Sequence, residues 1–305
     1  MRVLSFFIAV ACSFFFTEGF SKNTKKENTF SLDKALPTQN SLLWQISGNG
    51  LNKPSYLYGT IHLISQDDYF LGKNVLKKLQ NSDKLVMEVD LEKINIAALT
   101  TLSVLDSGYT IRKYLSDTDY WLIQNFMEDS VGIKKFTFEN FYARLKPFYL
   151  EQLLYFRYLG QEKESYEQNF NKIAVQKKIP TIGLETMEEQ LQFVNEVPIE
   201  TQLSSIVKTI KNYNTELKRL DTMVRAYKTQ DLSALTKSFE EDEEDSVLVE
   251  KLVTKRNNNW IPKLQTLIAK NSCFIAVGAG HLGGKNGLIQ LLQNKGYTVT
   301  PISIH

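Results

Sequence analysis

Two short apolar runs constrain this chain more than any other feature: "YLYGTIH", Tyr56 to His62, and "FIAVGAGH", Phe274 to His281. Each reads as a β-strand that ends in Gly-x-x-His, and each is followed by an amphipathic helix and another strand. The opening unit runs through "SYLYGTIH", the helix "VLKKLQNSD" and the strand "KLVMEVD". The closing unit runs through "CFIAVGAGH", the helix "NGLIQLLQNKG" and the strand "YTVTPISI". A strand, a helix and a strand within about 35 residues form a βαβ unit with parallel strands. The expected fold class is therefore α/β, with two βαβ-like halves forming a mixed central sheet and a large helical insertion, about residues 110–265, between them. The two halves also point to a distant internal duplication.

The rest of the chain fills in around this frame. Leu43 to Ile46 reads as a strand that makes a hairpin with the first run across "NGLNKP", whose Asn-Gly is a turn signal. "DTDYWLIQNFMEDSVG" reads as a helix capped by Asp117 or Thr118 and stopped by Gly132. Pro147 is expected to kink or break the helical stretch around it. "PTIGLET" reads as a short strand, and Thr186 with Glu189 makes a capping box for the helix after it. Residues 201–235 have helical spacing, and "EEDEED", Glu240 to Asp245, reads as a solvated charge run.

The amino terminus is of another kind. Arg2 precedes "VLSFFIAVACSFFF", which is shorter than the roughly 20 residues that span a bilayer. A positive start, a short apolar run and then small or polar residues describe a signal peptide, residues 1–20, cut between Gly19 and Ser21. The expected destination is the periplasm or the exterior, with no transmembrane anchor left after cleavage. Residues 21–40 read as a flexible lysine-rich leader, and residues 41–305 as the folded domain. Cleavage removes Cys12 and leaves Cys273, which cannot form an intrachain disulfide and reads as a small buried hydrophobe. A net charge of +2, with no basic stretch interleaved with aromatics, argues against nucleic acid as a partner.

The chemistry is expected where the two runs end. The chain has three histidines; His62 and His281 close the runs, and His305, the last residue, is expected to take no part. In open α/β sheets ligands gather outside the carboxyl ends of the strands. Gly59, Gly278 and Gly280 allow a sharp turn or a close approach of the backbone there. In "KLVMEVD", Val86, Glu88 and Asp90 face one way and Leu85, Met87 and Val89 the other. Glu88 is thus an acid inside an apolar strand and needs a cation, an arginine or a metal as partner. Glu185 ends the "TIGLE" strand in a comparable place.

Two imidazoles and a carboxylate with one open position match a catalytic divalent-metal site, with His62, Glu88 and His281 as ligands. Such an ion lowers the pKa of its water to about 7. Glu185 would then act as general base or steer the histidines, and Arg256 would stabilise an oxyanion or clamp a carboxylate. Each residue also has a plainer reading. Strand-end histidines are often only hydrogen-bonded, and Glu88 would serve equally as an ion-pair partner of Arg256. Glu185 suits a helix start, Arg256 on spacing alone reads as a solvated helix residue, and Tyr58 and Trp260 read as core aromatics.

At these residues the chain resembles the TraB/GumN family, which includes the TIKI proteins. "LLWQISG", "PSYLYGTIHL" and "SDKLVMEVD" resemble the family's opening block, "IPTIGLETMEEQL" its central block, "RNNNW" its late helix motif, and "FIAVGAGHLGGKNGLIQLLQNKGYTVTPI" its closing block. The resemblance marks His62, His281, Glu88 and Arg256 as the family's motif residues. It implies an exported metal-dependent hydrolase, a peptidase using manganese, cobalt or zinc on a peptide or small-molecule substrate. TIKI members act at membranes, and the expected lack of an anchor here puts their substrate in doubt. Erythromycin esterase-like hydrolases and a haem-binding lipoprotein are more distant relatives. They imply the alternative of a non-catalytic binding protein for a small ligand or haem in the same cleft.

Overall fold

The hairpin and the four strands around it form the frame that carries the site. The computed structural model describes residues 40–106, 108–240 and 249–305. The signal peptide, the leader up to residue 39 and the acidic run after Glu240 lie outside the described residues. Strand β1 (Leu43–Ser47) pairs antiparallel with β2 (Ser55–Thr60), Leu43 opposite Tyr58, as the hairpin reading expects. A short strand β3 (Leu63–Ser65), helix α1 (Lys73–Gln80) and β4 (Lys84–Val89) follow. Helix α1 buries Val75 and Leu79 and exposes its lysines, the pattern of a helix laid on a sheet.

After α2 (Ile96–Ser103) the chain is mostly helical. It passes through α3 (Asp117–Phe126), α4 (Lys135–Asn140) and α5 (Pro147–Leu159), then strand β5 (Lys163–Ser165), α6 (Tyr166–Lys177) and strand β6 (Thr181–Glu185). Helices α7 (Met187–Asn195), α8 (Ile199–Lys211), α9 (Tyr213–Lys228), α10 (Leu232–Glu240) and α11 (Lys255–Ile268) come next. Strand β7 (Cys273–Gly278), helix α12 (Leu288–Asn294) and strand β8 (Thr298–Ile302) end the fold.

The fold is mixed α/β, with a six-stranded sheet in the order β6-β4-β7-β2-β1-β8. Only β1 runs against the others. The strands of each βαβ unit are parallel, but they do not lie side by side. Strand β7 inserts between β2 and β4, and β2 and β1 separate β7 from β8. Composition explains the order. All six residues of β7 are buried, so it takes the centre, where helices cover both faces. Strand β8 contains Pro301, which cannot donate to a ladder, and it takes an edge.

The expected alternation on β4 holds. Leu85, Met87 and Val89 enter one core with α1, α6 and α9, while Val86 enters the other with Trp260, Leu264, Leu288 and Leu292. Each fully buried aliphatic side chain of this kind contributes about 1.5–3 kcal/mol. A third core lies among the helices and the turns between them and joins α3, α5 and α8. Helix α5 bridges it to the sheet, with Phe148 and Tyr155 on the sheet side and Leu150 and Leu153 on the other.

Several local readings change. The cap of α3 is Ser116, whose side chain accepts from Asp119 N–H, and not Asp117 or Thr118, which lie inside the helix. Gly132 does stop the stretch, with φ 88°, after a π-turn from Met127 to Val131. Pro147 neither kinks nor interrupts a helix: it starts α5, where its missing N–H costs nothing. The Thr186–Glu189 capping box is present with both bonds. Strand β5 had no sequence signal; its three residues form a separate two-stranded ribbon with β3.

Cys273 opens β7 fully buried, and burial pushes its thiol up to about 11. The thiolate is the reactive form. At about pH 8, Cys273 is therefore expected to resist iodoacetamide in the folded protein and to react once urea unfolds it, read by mass spectrometry. Rapid labelling of the folded chain would contradict the central place of β7.

Candidate active site

Strands β2, β4, β6 and β7 end on the same side of the sheet, and the five predicted residues meet there. The chain leaves β2 at Thr60, two residues before His62, so His62 does not continue the strand as expected. It adopts φ 53°, a left-handed conformation that costs a non-glycine residue roughly 1–2 kcal/mol. His281 follows β7 in a tight 3-10 turn, Ala279–His281. Glu88 is the penultimate residue of β4, Glu185 the last of β6, and Arg256 lies in the first turn of α11. All five side chains are buried.

Glu88 is the point on which they converge. His62 Nε2 lies 3.6 Å from Glu88 Oε1, and His281 Nε2 lies 3.7 Å from the same oxygen. That oxygen accepts from Gly278 N–H at 2.7 Å, while Oε2 accepts from Gln190 at 3.1 Å and from Arg256 Nη2 at 2.5 Å. Burial alone would raise the Glu88 carboxyl, but Arg256, His281 and His62 hold it down to about 2. Glu88 is thus the paired acid that its apolar strand demanded.

Both imidazoles are fixed from behind, through Nδ1. His62 Nδ1 lies 2.7 Å from Glu167 Oε1, which also accepts from Thr60 Oγ1 at 2.6 Å. Burial lowers the pKa of His62, but Glu167 and Glu88 outweigh it and leave the group raised. His281 Nδ1 lies 2.7 Å from Asn257 Oδ1. The amide of Asn257 donates to the carbonyls of His281 and Asn286, so its oxygen faces the ring and Nδ1 carries the proton. Burial brings His281 down to about 3, so its ring is neutral and Nε2 offers a lone pair. Trp260 packs against His281 with its ring tilted by 42° and the centroids 4.5 Å apart.

Arg256 corrects its plainer reading. It is 1% exposed, not solvated. Its Nε and Nη2 grip Glu185 at 3.0 and 2.6 Å, its Nη2 holds Glu88, and its Nη1 donates to Leu252 O and to His281 Nε2 at 3.2 Å. Trp260 Nε1 also donates to Glu185, at 3.1 Å. Burial leaves the Glu185 pKa raised in spite of Arg256. Both oxygens of Glu185 therefore receive donors, which ties it to Arg256. Tyr58 is a core aromatic, as expected, its hydroxyl 3.3 Å from that of Tyr227, and His305 is exposed and remote.

The glycines act by close approach, not by positive φ. A Cβ on Gly278 would stand 2.9 Å from His62 Nε2, and one on Gly59 would stand 3.0 Å from the Ala279 backbone. A real Cβ essentially never comes within 3.0 Å and seldom sits even at that distance, so these two positions let the two Gly-x-x-His turns fold against each other.

Among the described residues, no group of three or more His, Cys, Asp or Glu side chains is arranged to hold a metal ion as it stands. The donor chemistry nevertheless fits one. Metal-ligating histidines give their second nitrogen to a carboxylate or carbonyl, as His62 and His281 do. The spacings of 3.6 and 3.7 Å are near the roughly 3.3 Å that separates ligand atoms around a tetrahedral ion with bonds of about 2 Å. The obstacle is Arg256 Nη1, which occupies His281 Nε2.

Glu167 and Asn257 were not singled out from the sequence. Asn257 lies inside "RNNNW", whose arginine alone drew attention. Glu167 has no motif around it; only the β3–β5 ribbon brings it to His62.

The arrangement is that of a closed two-histidine, one-carboxylate centre at the carboxyl end of a mixed α/β sheet. Residues 42–301 match the model of the TraB/PrgY/gumN family, and the chain belongs to that family. It is 25% identical to the uncharacterized protein YbaP of Shigella flexneri, over 79% of this chain and 89% of that protein. It is 22% identical to the metalloprotease TIKI2 of Danio rerio, over 93% of this chain and 65% of the relative. It is 25% identical to a metalloprotease TIKI homolog of Amphimedon queenslandica, over 88% of this chain and 62% of the relative. The chain thus spans just under two thirds of these two TIKI relatives. No solved structure matches it.

Removing Arg256 would leave two buried carboxylates facing each other. Arg256→Leu is expected to lower the unfolding free energy by about 3–5 kcal/mol in urea melts. A change below about 1 kcal/mol would mean that Arg256 is solvated after all.

Proposed function

We propose that this protein is an exported metal-dependent hydrolase that cuts peptides, with manganese, cobalt or zinc held by His62, His281 and Glu88. One observation carries the reading: two imidazoles, each fixed at Nδ1, turn Nε2 to the same oxygen of Glu88. Family membership and the likeness to the TIKI metalloproteases support it.

His62, His281 and Glu88 would hold the ion, which would supply a water acidic enough to yield hydroxide near neutral pH. The chain's own groups do the remaining work. Glu167 and Asn257 orient the rings, and Gly278 N–H orients Glu88. Glu185 acts through Arg256, anchoring the guanidinium by two of its nitrogens. Once Arg256 Nη1 leaves His281, it becomes a donor for the oxygen that gains charge when a carbonyl is attacked. The burial of the whole cluster excludes competing water and strengthens each of these interactions.

The Arg256–His281 bond favours a second reading, in which the cluster does no catalysis and the same cleft binds a small ligand or haem. Metal content, peptide cleavage and haem titration separate the two. The hydrolase retains a transition metal when purified without chelator and loses it in His62→Ala. Its cleavage of a peptide library rises with manganese, cobalt or zinc and vanishes in His281→Ala. Cleavage that survives His281→Ala would end this mechanism, and a Soret band without cleavage would favour the binder. Glu167→Gln keeps the size of the side chain but weakens its hold on His62. It is expected to lower metal affinity about 10–100-fold with an unchanged circular dichroism spectrum.

A further inference from the structure

A cavity of about 720 Å³ lies beside the β3–β5 ribbon, between the turn at Met127–Val131 and helix α5. That volume is within the range of small-molecule and side-chain pockets. Side chains alternate along a strand, and only one face of the ribbon lines the cavity. Leu63, its directly opposite partner Ser165, and Lys163 line it, and Ile64 does not.

The ribbon connects this cavity to the site. Leu63 follows His62 directly, and Tyr166 N–H, at the end of β5, donates to His62 O at 3.1 Å. Ser165 Oγ lies 3.4 Å from Glu167 Oε2, and Glu167 is the carboxylate that fixes His62. A ligand on the ribbon thus rests on the backbone that positions one histidine.

The lining states what kind of ligand fits. Ile133, Tyr142, Leu153 and Phe156 make an apolar wall. Arg157 and Lys163 stand at the cavity with Asp129; Arg157 Nε donates to Ser130 O at 2.6 Å and Lys163 Nζ to Gln161 O at 3.3 Å, bonds to neutral carbonyls that a carboxylate would outcompete or share. Ser130 and Gln168 add hydrogen-bonding side chains suited to peptide amides. The geometry points to a substrate subsite that takes an apolar side chain of a peptide next to a carboxylate, which Arg157 and Lys163 receive. This deepens the peptidase reading and rests on it.

Binding is read without turnover, by fluorescence anisotropy of labelled peptides on the chelator-treated full chain. The first probe is Gly-Gly-Gly-Ala-Phe with a free carboxyl terminus, and the second is its amide. A third is an amide carrying aspartate beside the phenylalanine. The free acid is expected to bind saturably and at least about ten-fold more tightly than its amide. The third probe distinguishes the two sources of carboxylate: affinity like the acid assigns a side chain, affinity like the amide assigns the chain end. Arg157→Met with Lys163→Met should bring the acid down to the level of the amide. Ile133→Trp, at a half-buried position, should abolish binding of both, with thermal melts showing that each variant folds. Equal affinity for acid and amide, binding untouched by Ile133→Trp, or no binding of any probe would each overturn the proposal. Binding that behaves as described in a chain that never cleaves peptides leaves the subsite standing and sinks only the hydrolase. Cleavage whose KM ignores all three substitutions does the reverse.

Discussion

The arrangement at the carboxyl end of the sheet depends on one buried guanidinium. Arg256 balances two carboxylates that could not otherwise share a water-poor space, and it does so from a helix, while the acids come from two neighbouring strands. Taking three charges out of water costs several kcal/mol per ion, and only dense hydrogen bonding offsets it. That bonding is present: Leu252 O, His281, Trp260, Gln190 and Gly278 N–H complete the set. The network fixes helix α11 against the sheet, and with it Asn257, which orients one imidazole. Loss of the cation would therefore disturb both the packing of the helix and the aim of the ring.

The same cation sets the state of the site. With Arg256 Nη1 on His281, the two histidines and Glu88 are aligned but not all open. The alignment is built into the backbone, since a left-handed residue at His62 and a side-chain-free Gly278 bring the rings to Glu88. Opening requires Nη1 to leave His281; Leu252 O remains its partner, while Nε and Nη2 keep Glu185 and Glu88. Strain at His62 and close approach at Gly278 are costs that a purely structural cluster would have little reason to carry.

Much of this was legible in the residues, for reasons that can be named. The strands β2, β4 and β7 declare themselves through apolar runs, and an acid in the middle of one of them, Glu88, declares its need for a partner. The capping box at Thr186 and the stop at Gly132 are local chemistry and were read directly. What stayed hidden depends on contacts between distant segments. Nothing around Glu167 shows that it will meet a histidine 105 residues away. Arg256 looks like any helix arginine until the sheet brings two carboxylates to it. The order of strands was also hidden, because strand-helix-strand spacing sets direction but not adjacency; burial on both faces decided which strand took the centre.

The place of β7 has a consequence for how the protein comes into being. Strands β2 and β4 are made well before β7, the strand that joins them. Until it arrives, both carry bare edges, and Glu88 lacks the Gly278 N–H and the second imidazole. A chain that has not yet reached β7 thus holds Glu88 and His62 without the rest of the cluster. Sequence separation on this scale makes folding slow. It also makes the cluster all-or-none: it is complete only once β7 has taken its place between β2 and β4.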